Sequence, residues 1–496
     1  MSVAPFLAAL PLALILAGMV VLRRSAAQTG IVGLLVAALL AVTVFDLAGA
    51  APGGLGPAAV GTALEALHST LVILWIILPA LALYEFQNRT GAILRIRDAL
   101  GGLTADRRAQ AILIAWFFGL FIEGAAGFGT PVALAAPLLV GLGYDPVRAV
   151  VLALLGHAAG VSFGAVGTPT LAQVELSGLD PTALAGRVAL LHALLGPGLL
   201  LLMVRLAGEG PLTGGDFGRA ALAAGAFFVP FVAIAALVGP EVPSLGGALI
   251  GAGVFILVLR RRGGTGQAGG LARLLPDLAP YLAILALVLA TRLVPSIGEP
   301  LRAVALDWSR DGGFSGRFEP LYHPGTLLFL GLAAGAILTR RTGALMPALG
   351  AALVRLVPVA AALGVMLALS RLMVRSGMVE TLAETAALTG PGWPLLAPAI
   401  GVLGTFITGS ATASNILFTD FQLSAAAALG LPLLPMTAAQ GVGAAIGNIV
   451  APHNIIAGSA TVGLVGREGD ILRKTALACL FYVLAAGGLT LASLAL

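Results

Sequence analysis

The sequence is dominated by long apolar runs. Most of them extend over about 18–25 residues, which is the length a helix needs to cross a hydrocarbon core of about 30 Å. Hydrophobic residues make up 59% of the 496 positions and charged residues only 10%. A soluble domain carries about 25% charged residues, because its surface faces water. The sequence therefore predicts an integral membrane protein that crosses the bilayer many times.

The remaining composition excludes several functional classes. The net charge of +5 comes from arginines in short connecting segments, where they orient helices, so no nucleic-acid partner is expected. The single cysteine, Cys479, excludes a disulfide framework and a thiolate metal cluster. We expect no cofactor and no metal site. The first apolar run precedes Arg23 and Arg24, so it is interpreted as a retained helix and not a cleaved signal.

The apolar runs divide into single spans and two longer stretches. Spans are predicted at 5–22, 29–50, 60–84, 148–170, 187–204, 219–238, 244–260, 278–295, 324–339, 347–370, 432–452 and 472–494. The stretches 110–142 and 394–430 are too long for one span and are interrupted in the middle. The fold class is therefore an all-α polytopic membrane protein with about 12 transmembrane helices and two hairpins.

Arginine-rich connections predict the orientation of the spans, because Lys and Arg accumulate in cytoplasmic loops. The groups assigned to the cytoplasm lie at 23–24, 89–108, 260–262, 340–341 and 467–474. All of them face the cytoplasm only if both long stretches return to the side they entered, as re-entrant hairpins. Arg371 and Arg375 fall on the opposite side. A helix at Met378–Leu388, lying at the membrane interface, could hold them there.

An internal repeat supports this scheme. Phe121-Ile122-Glu123-Gly124 aligns with Phe406-Ile407-Thr408-Gly409. Downstream, Gly160, Gly164 and Pro169 align in the same order and spacing with Gly443, Gly447 and Pro452. The arginines place the two copies in opposite orientations, which is typical of inverted-topology repeats with discontinuous helices. The predicted units are 1–210 with hairpin 110–142, a connecting helix pair at 211–270, and 271–496 with hairpin 394–430.

The first hairpin is interrupted at Gly124–Pro131. Three glycines weaken the helix there, and Pro131 suits the first turn of a new one. A helix starting near Thr130 directs free N–H groups and a partial positive charge toward the break, which favours a carboxylate. The substrate-binding candidates in this segment are Gly124, Ala125, Gly127, Phe128, Gly129 and Thr130.

The second hairpin is interrupted at Gly409–Asn415, which offers hydroxyl and amide groups from Ser410, Thr412, Ser414 and Asn415. Opposing breaks at Gly164–Pro169 and Gly447–Asn454 add Thr168, Asn448 and Asn454, and Gln440 aligns with His157 of the first repeat. The structural alternative is a glycine-rich packing seam whose hydroxyls bond their own backbone, with kinked helix ends at the two prolines.

Ionisable residues inside a membrane are costly and mark functional sites. Glu123 precedes the first break, and burial would favour its neutral, proton-carrying form. His157 lies in the middle of a span, and Asp420 follows the second break; these three are the proton-coupling candidates. Other ionisable residues in apolar runs are interpreted as packing or interface groups: Asp46, Glu65, His68 and His192.

The segment Phe118–Ala133, with Glu-Gly-Ala-Ala-Gly-Phe-Gly at its centre, closely resembles the signature of the bacterial L-lactate permease family, which includes glycolate permeases. The resemblance covers essentially the whole chain. It continues at 138–143, 163–169, 239–243, 324–326, 409–410, 414–415 and 461–468. It implies uptake of small 2-hydroxymonocarboxylates by proton symport across the bacterial inner membrane.

This chain departs from the family pattern at three positions. Members carry an acidic residue in place of Ala411, a lysine in place of Asn448 and an asparagine in place of His157. The main hypothesis is therefore a lactate or glycolate symporter coupled to protons. Sodium coupling, a different organic anion, a channel, a membrane-embedded enzyme and assembly as a homodimer remain open. Against an enzyme, His157, His192 and His453 lack metal-ligand spacing.

Overall fold

The computed structural model describes residues 3–22, 24–127, 129–261, 274–464 and 467–494. Arg23, Phe128 and Arg262 lie outside the described residues. The helices of the first part of the chain are α1 (Ala4–Val20), α2 (Ala26–Thr43), α3 (Leu55–Arg89), α4 (Ala92–Gly101), α5 (Arg107–Ala111), α6 (Gly119–Ala125), α7 (Thr130–Gly141), α8 (Pro146–His157), α9 (Gly164–Ser177), α10 (Pro181–Ala207), α11 (Gly214–Leu237) and α12 (Pro243–Arg261).

The second part begins with α13 (Leu275–Leu293) and α14 (Pro295–Arg302). A small antiparallel hairpin follows, β1 (Leu306–Arg310) and β2 (Phe314–Phe318), in which Trp308 faces Gly316. The remaining helices are α15 (Pro324–Leu338), α16 (Leu345–Arg375), α17 (Met378–Ala387), α18 (Trp393–Thr408), α19 (Ala411–Ala428), α20 (Leu433–Ile446), α21 (Pro452–Thr461) and α22 (Glu468–Ala492).

Within the described ranges, twelve helical segments are long and apolar enough to cross a membrane. They include 107–125 and 390–408, the first arms of the two long stretches, while Ala4–Met19 and Pro324–Leu338 are shorter apolar helices. The prediction of a polytopic helical membrane protein with about 12 spans is confirmed. The β-hairpin is an addition that the apolar pattern did not indicate.

Both long stretches turn back on themselves. At the base of the first, the Arg107 guanidinium donates to the Gly143 carbonyl over 2.7 Å, and the Tyr144 hydroxyl donates to the Arg107 carbonyl. At the base of the second, Trp393 Nε1 donates to Gln422 Oε1 over 3.0 Å. The two arms of each stretch therefore lie side by side as a helical hairpin.

Two of the arginine groups pair with buried carboxylates in different parts of the fold. Asp277 accepts hydrogen bonds from Arg95 and Arg341. The charge pattern places all three residues near the cytoplasm. The exceptional Arg375 instead pairs with Glu65, donates to the Gly312 and Gly313 carbonyls of the β-hairpin turn, and lies 4.3 Å over the Phe314 ring. Glu65 therefore forms an ion pair with Arg375, a role that its interpretation as a packing or interface residue did not include.

Small residues allow the helices around the hairpins to touch through their backbones. A Cβ atom on Gly156 of α8 would overlap the Ala115 carbonyl in the π-helical segment Ile112–Phe118. One on Gly443 of α20 would overlap the Pro398 carbonyl of α18. Close approach at small residues is a common way to pack membrane helices, where burial of apolar surface gives little driving force.

Candidate functional site

The tip of the first hairpin is a tight turn between two helices. Helix α6 ends at Ala125 and α7 begins at Thr130. Gly127 and Gly129 have φ angles of 56° and 76°, a left-handed conformation that glycine adopts without steric cost. The Thr130 hydroxyl donates to the Gly127 carbonyl and closes the turn.

The tip of the second hairpin is shorter. Helix α18 ends at Thr408, Gly409 takes a φ of 71°, and α19 begins at Ala411. The Ser410 hydroxyl accepts the Ala413 N–H over 3.3 Å as an N-cap. The first N–H groups of α19 remain directed at the break, together with the partial positive charge of a helix N-terminus.

The break opposite these tips in the first repeat is conformationally strained. A 3₁₀ segment follows α8, and then Ala165, Val166 and Gly167 all take positive φ angles of 42°, 53° and 82°. A β-branched residue in this region is a genuine outlier, and each such residue costs about 1–3 kcal/mol. Strain of this kind persists only where the surrounding structure enforces it, and it concentrates at functional sites.

The corresponding break in the second repeat is relaxed. A 3₁₀ turn, Gly447–Ile449, follows α20, and α21 restarts at Pro452 with its φ already suited to a helix. Asn454 donates to both the carbonyl and the side-chain oxygen of Asn448, which fixes the turn. The two opposing breaks are therefore built differently, although both consist of a 3₁₀ segment near a proline.

All four breaks surround one small cavity of about 30 Å³. The first tip contributes Glu123 and Gly127, and the second contributes the segment 409–412. The opposing breaks contribute Asn448 and a wall formed by Val161, Gly164, Ala165 and Pro169. The predicted site residues Glu123, Gly127, Ser410, Thr412 and Asn448 are thus brought together around this central cavity.

The two tips also meet at the start of α21. A Cβ atom on Gly129 would lie 3.0 Å from Asn454 Oδ1, and one on Gly409 would lie 2.9 Å from the His453 Cβ. His453 and Asn454 are adjacent in the chain, so one short segment touches both hairpins. Any separation of the tips must break contacts with this segment.

Glu123 and His157 form a buried pair beside the cavity. The His157 Nε2 and Glu123 Oε2 atoms lie 3.9 Å apart, and the two side chains are 1% and 6% exposed. His157 Nδ1 contacts the Ala153 carbonyl at 2.7 Å, which orients the ring. Among the described residues, the Glu123 carboxyl has no direct hydrogen bond. A Cβ atom on Gly164 would overlap Glu123 Oε1, so the glycine provides the space that the carboxyl occupies.

Other predicted residues support the breaks without lining the cavity. Thr168 donates to the Ala165 carbonyl over 2.6 Å, Ser414 to Gly401 over 2.7 Å, and Asn415 to Pro169 over 3.0 Å. These donors satisfy buried carbonyls, many of them freed by the broken helices, as hydrocarbon surroundings require. Gln440 connects the Ser414 hydroxyl, at 3.4 Å, to Gln422.

The last of the predicted residues also lie outside the cavity wall. Gly124 packs against the backbone of Leu245 on α12. Asp420 accepts a hydrogen bond from Ser370 of α16 over 2.8 Å and does not line the cavity. Ala125, Gly129 and Thr130 belong to the first tip without lining the cavity, and Phe128 lies outside the described residues. The helix N-terminus that does reach the cavity is that of α19, not that of α7.

Sequence reasoning missed part of the wall. Val161 carries no polar group that could have marked it, and Ala165 and Ala411 lie in predicted breaks but were not among the predicted binding residues. Gly164 and Pro169 were noted as elements of a break, and their repeat-related spacing was the signal that could have placed them at the cavity.

Comparison with known proteins gives a consistent result. A sequence profile of the L-lactate permease family matches residues 5–265 and 313–496. An L-lactate permease from Streptococcus iniae is 34% identical over 371 residues, covering 71% of this chain and 77% of the relative. The glycolate permease GlcA of Escherichia coli strain K12 is 29% identical over 551 aligned positions, covering 99% and 96%.

The fold also resembles a solved transporter structure. Neisseria gonorrhoeae MtrF, described as illuminating a class of antimetabolite efflux pumps, aligns with a TM-score of 0.52 at 16% identity, covering 94% of each chain. At that identity the likeness concerns the fold alone. The helical spans and the bacterial permease relatives together identify a multi-pass protein of the bacterial inner membrane. The chain belongs to the L-lactate permease family.

Proposed function

We propose that this protein is a secondary transporter that takes up a small 2-hydroxycarboxylate together with a proton, with lactate and glycolate as the first candidates. The observation that carries the proposal is the convergence of four helix breaks on one cavity that contains a buried carboxyl group and a helix N-terminus. Broken helices near the membrane midplane form the substrate sites of many secondary transporters. The family membership supplies the substrate class.

Each wall of the cavity has a distinct role in this proposal. The free N–H groups at the start of α19 bind the substrate carboxylate. The hydroxyl and amide groups of Ser410, Thr412 and Asn448 bind the 2-hydroxyl group. Glu123 carries the coupling proton, and His157, whose Nε2 atom lies 3.9 Å from Glu123 Oε2, exchanges it after a small approach of the two side chains or through one water molecule. No covalent chemistry is needed, so we assign a carrier and not an enzyme.

The cavity is too small for substrate in the arrangement described. Its volume of about 30 Å³ is roughly a tenth of the smallest typical small-molecule site, about 300 Å³, whereas lactate has six non-hydrogen atoms. Binding therefore requires the hairpin tips to separate from the opposing breaks. The two hairpins, each closed at its base, are the units we expect to move between outward-open and inward-open states.

One observation favours sodium as a second candidate for the coupling ion. Asn415 Oδ1 and Thr419 Oγ1 are buried one turn apart on α19 and have no hydrogen-bond partner among the described residues. Unpartnered buried oxygens call for a bound water molecule or ion. The Asn415 amide group reaches the Pro169 carbonyl, beside the strained break.

Counterflow in proteoliposomes tests the proposal. Vesicles loaded with unlabelled lactate should accumulate labelled lactate or glycolate, and acetate, which lacks the 2-hydroxyl group, should compete poorly. A pH gradient without sodium should drive net uptake. Uptake that requires sodium at every pH would replace the proton assignment, and lack of exchange with any 2-hydroxycarboxylate would refute the substrate class.

A further inference from the structure

A second cavity, separate from the central one, lies at the end of the molecule that the charge pattern places outside the cytoplasm. We call it the outer cavity. It has a volume of about 470 Å³, within the range of small-molecule sites. Its walls come from α9, the α11–α12 connection, the end of α13 and the segment that precedes α15. These are the connections that the alternation of spans assigns to one face.

A buried arginine is fixed in the wall of the outer cavity. The side chains of Arg292 and Glu241 are 8% and 4% exposed, and two guanidinium nitrogens donate to Glu241 Oε1, Nη2 over 2.6 Å and Nε over 3.2 Å. The guanidinium plane lies 3.7 Å from the centre of the Tyr322 ring, and Nη2 also reaches the Tyr322 carbonyl. One edge and one face of the group are therefore held in place.

The opposite atoms of this ion pair are left without partners. Arg292 Nη1 and Glu241 Oε2 are buried and have no hydrogen bond among the described residues. A buried donor and acceptor of this kind carry a desolvation cost, unless a ligand or solvent satisfies them. A 2-hydroxycarboxylate offers the matching groups: carboxylate oxygens for the arginine, and a hydroxyl proton for the glutamate.

The group in the wall that can take an anion is Arg292. Arg302 lies 5.1 Å from the Tyr322 ring, and both Arg302 and Arg317 pair with Glu319, whereas Arg292 keeps a buried guanidinium nitrogen without a partner among the described residues. The other two carboxyl groups of the wall are bound locally. Asp180 accepts from Thr182 and the Ala183 N–H, and Glu175 accepts from Ser69.

The outer cavity shares a broken helix with the central one. Pro169 of α9 lines the central cavity, while Leu171, Val174 and Glu175 of the same helix line the outer one. A Cβ atom on Gly167, in the strained turn, would overlap the Pro240 carbonyl and lie 3.0 Å from the Glu241 Cα. Movement of the strained turn at Gly167 would therefore displace Glu241 and its ion pair with Arg292.

We infer that the outer cavity is a capture site for the transported carboxylate, in which Arg292 binds the carboxylate and Glu241 accepts a hydrogen bond from the 2-hydroxyl group before the anion passes to the central cavity. The identity of the ligand rests on the proposed function. Arg292 lies in the segment 266–312, between the two ranges that match the family profile, whereas Glu241 and Tyr322 lie within those ranges.

Two sets of variants test the inference. Removing Arg292 alone would leave Glu241 buried and unpaired, which is strongly destabilising, so the test uses Arg292→Gln with Glu241→Gln, and Arg292→Lys beside it. The double variant should raise the KM for lactate uptake by about tenfold or more, because it loses a hydrogen bond to a charged group, with kcat little changed. Arg310→Gln, which removes a guanidinium group from the exposed strand β1, should leave KM unchanged.

Binding of labelled L-lactate to purified protein locates the site. Gly164→Val fills the central cavity and should abolish transport, yet retain one bound lactate per chain that the added double substitution removes. Loss of all binding in Gly164→Val, or an unaltered KM in a folded double variant, would overturn the inference. If the wild type fails to transport lactate, the proposed function fails, while Arg292-dependent binding of a small carboxylate would still support the capture site.

Discussion

Gly164→Ala should open the central site. The new methyl group would occupy the position of Glu123 Oε1 in a cavity of about 30 Å³. Inserting a methyl group into a filled space costs about 1–3 kcal/mol. The overlapping atom is the end of a flexible side chain, so we expect about 1 kcal/mol. Because the overlap exists only while the tip contacts the break, the closed state should be disfavoured by about fivefold.

Maleimide labelling measures this shift. The assay uses Cys479→Ala as background and Ser410→Cys as the reporter at the second tip, because Cys479 is the single native cysteine. Labelling should be about fivefold faster with Gly164→Ala. The control is Gly225→Ala, a helical position on α11 where a Cβ atom meets nothing within 4 Å. Equal labelling rates for the two glycine variants would refute the proposed closure of the tips.

Three further outcomes are expected. Gly124→Ala places a methyl group 2.5 Å from the Leu245 backbone nitrogen, so α6 must move away from α12. The free energy of unfolding should fall by about 1–3 kcal/mol, which a lower Tm would show. Asp277→Asn removes the carboxylate that Arg95 and Arg341 share. Because both arginines are partly exposed, the substitution should lower the free energy of unfolding by about 1–3 kcal/mol, measured by thermal unfolding in detergent. His157→Gln should preserve lactate exchange but shift the pH dependence of uptake, measured in proteoliposomes.

Each of these outcomes has a clear contradiction. A Gly124→Ala variant as stable as Gly253→Ala, whose Cβ on α12 meets no atom within 4 Å, would mean that α6 and α12 are not in contact in the membrane. An Asp277→Asn variant with unchanged Tm would show that the ion pairs of Asp277 do not stabilise the fold. An unaltered pH profile in His157→Gln would exclude the imidazole from proton exchange.

The sequence predicted the breaks because their causes are local. A run such as Gly127-Phe128-Gly129-Thr130-Pro131 cannot continue a regular helix whatever its surroundings. The repeat then indicated which breaks belong together, and Glu123, Ser410 and Asn448 do line one cavity. The arginine pattern predicts the sidedness for a related reason: Lys and Arg accumulate in cytoplasmic loops whatever the tertiary contacts of the helices are.

The hydroxyl groups were harder to assign. Ser414 and Thr412 lie two residues apart on α19, yet only Thr412 lines the cavity, while Ser414 donates across the hairpin to Gly401. Residues two apart on a helix face different directions, but the sequence does not indicate which direction faces the cavity. The structural alternative, that such hydroxyls bond the backbone, is correct for Ser414 and Thr168.

Ion pairs between residues far apart in the chain could not be predicted from the sequence. Glu65 and Arg375 stand far apart in the chain, as do Glu241 and Arg292, and each pair forms only when the fold is complete. No local pattern distinguishes an arginine that orients a helix from one that holds a buried carboxylate. The outer cavity was missed for this reason. The β-hairpin is a local structure, and its turn signal, Asp311-Gly312-Gly313, was overlooked.

The central claim is that Glu123 carries the coupling proton for a carboxylate bound between the hairpin tips. Its most direct test is lactate uptake by proteoliposomes under an imposed pH gradient, comparing the wild type with Glu123→Gln. We predict that Glu123→Gln retains lactate counterflow, because the amide fills the same space, but no longer accumulates lactate when the pH gradient is applied. Accumulation at the wild-type level by Glu123→Gln would contradict the account.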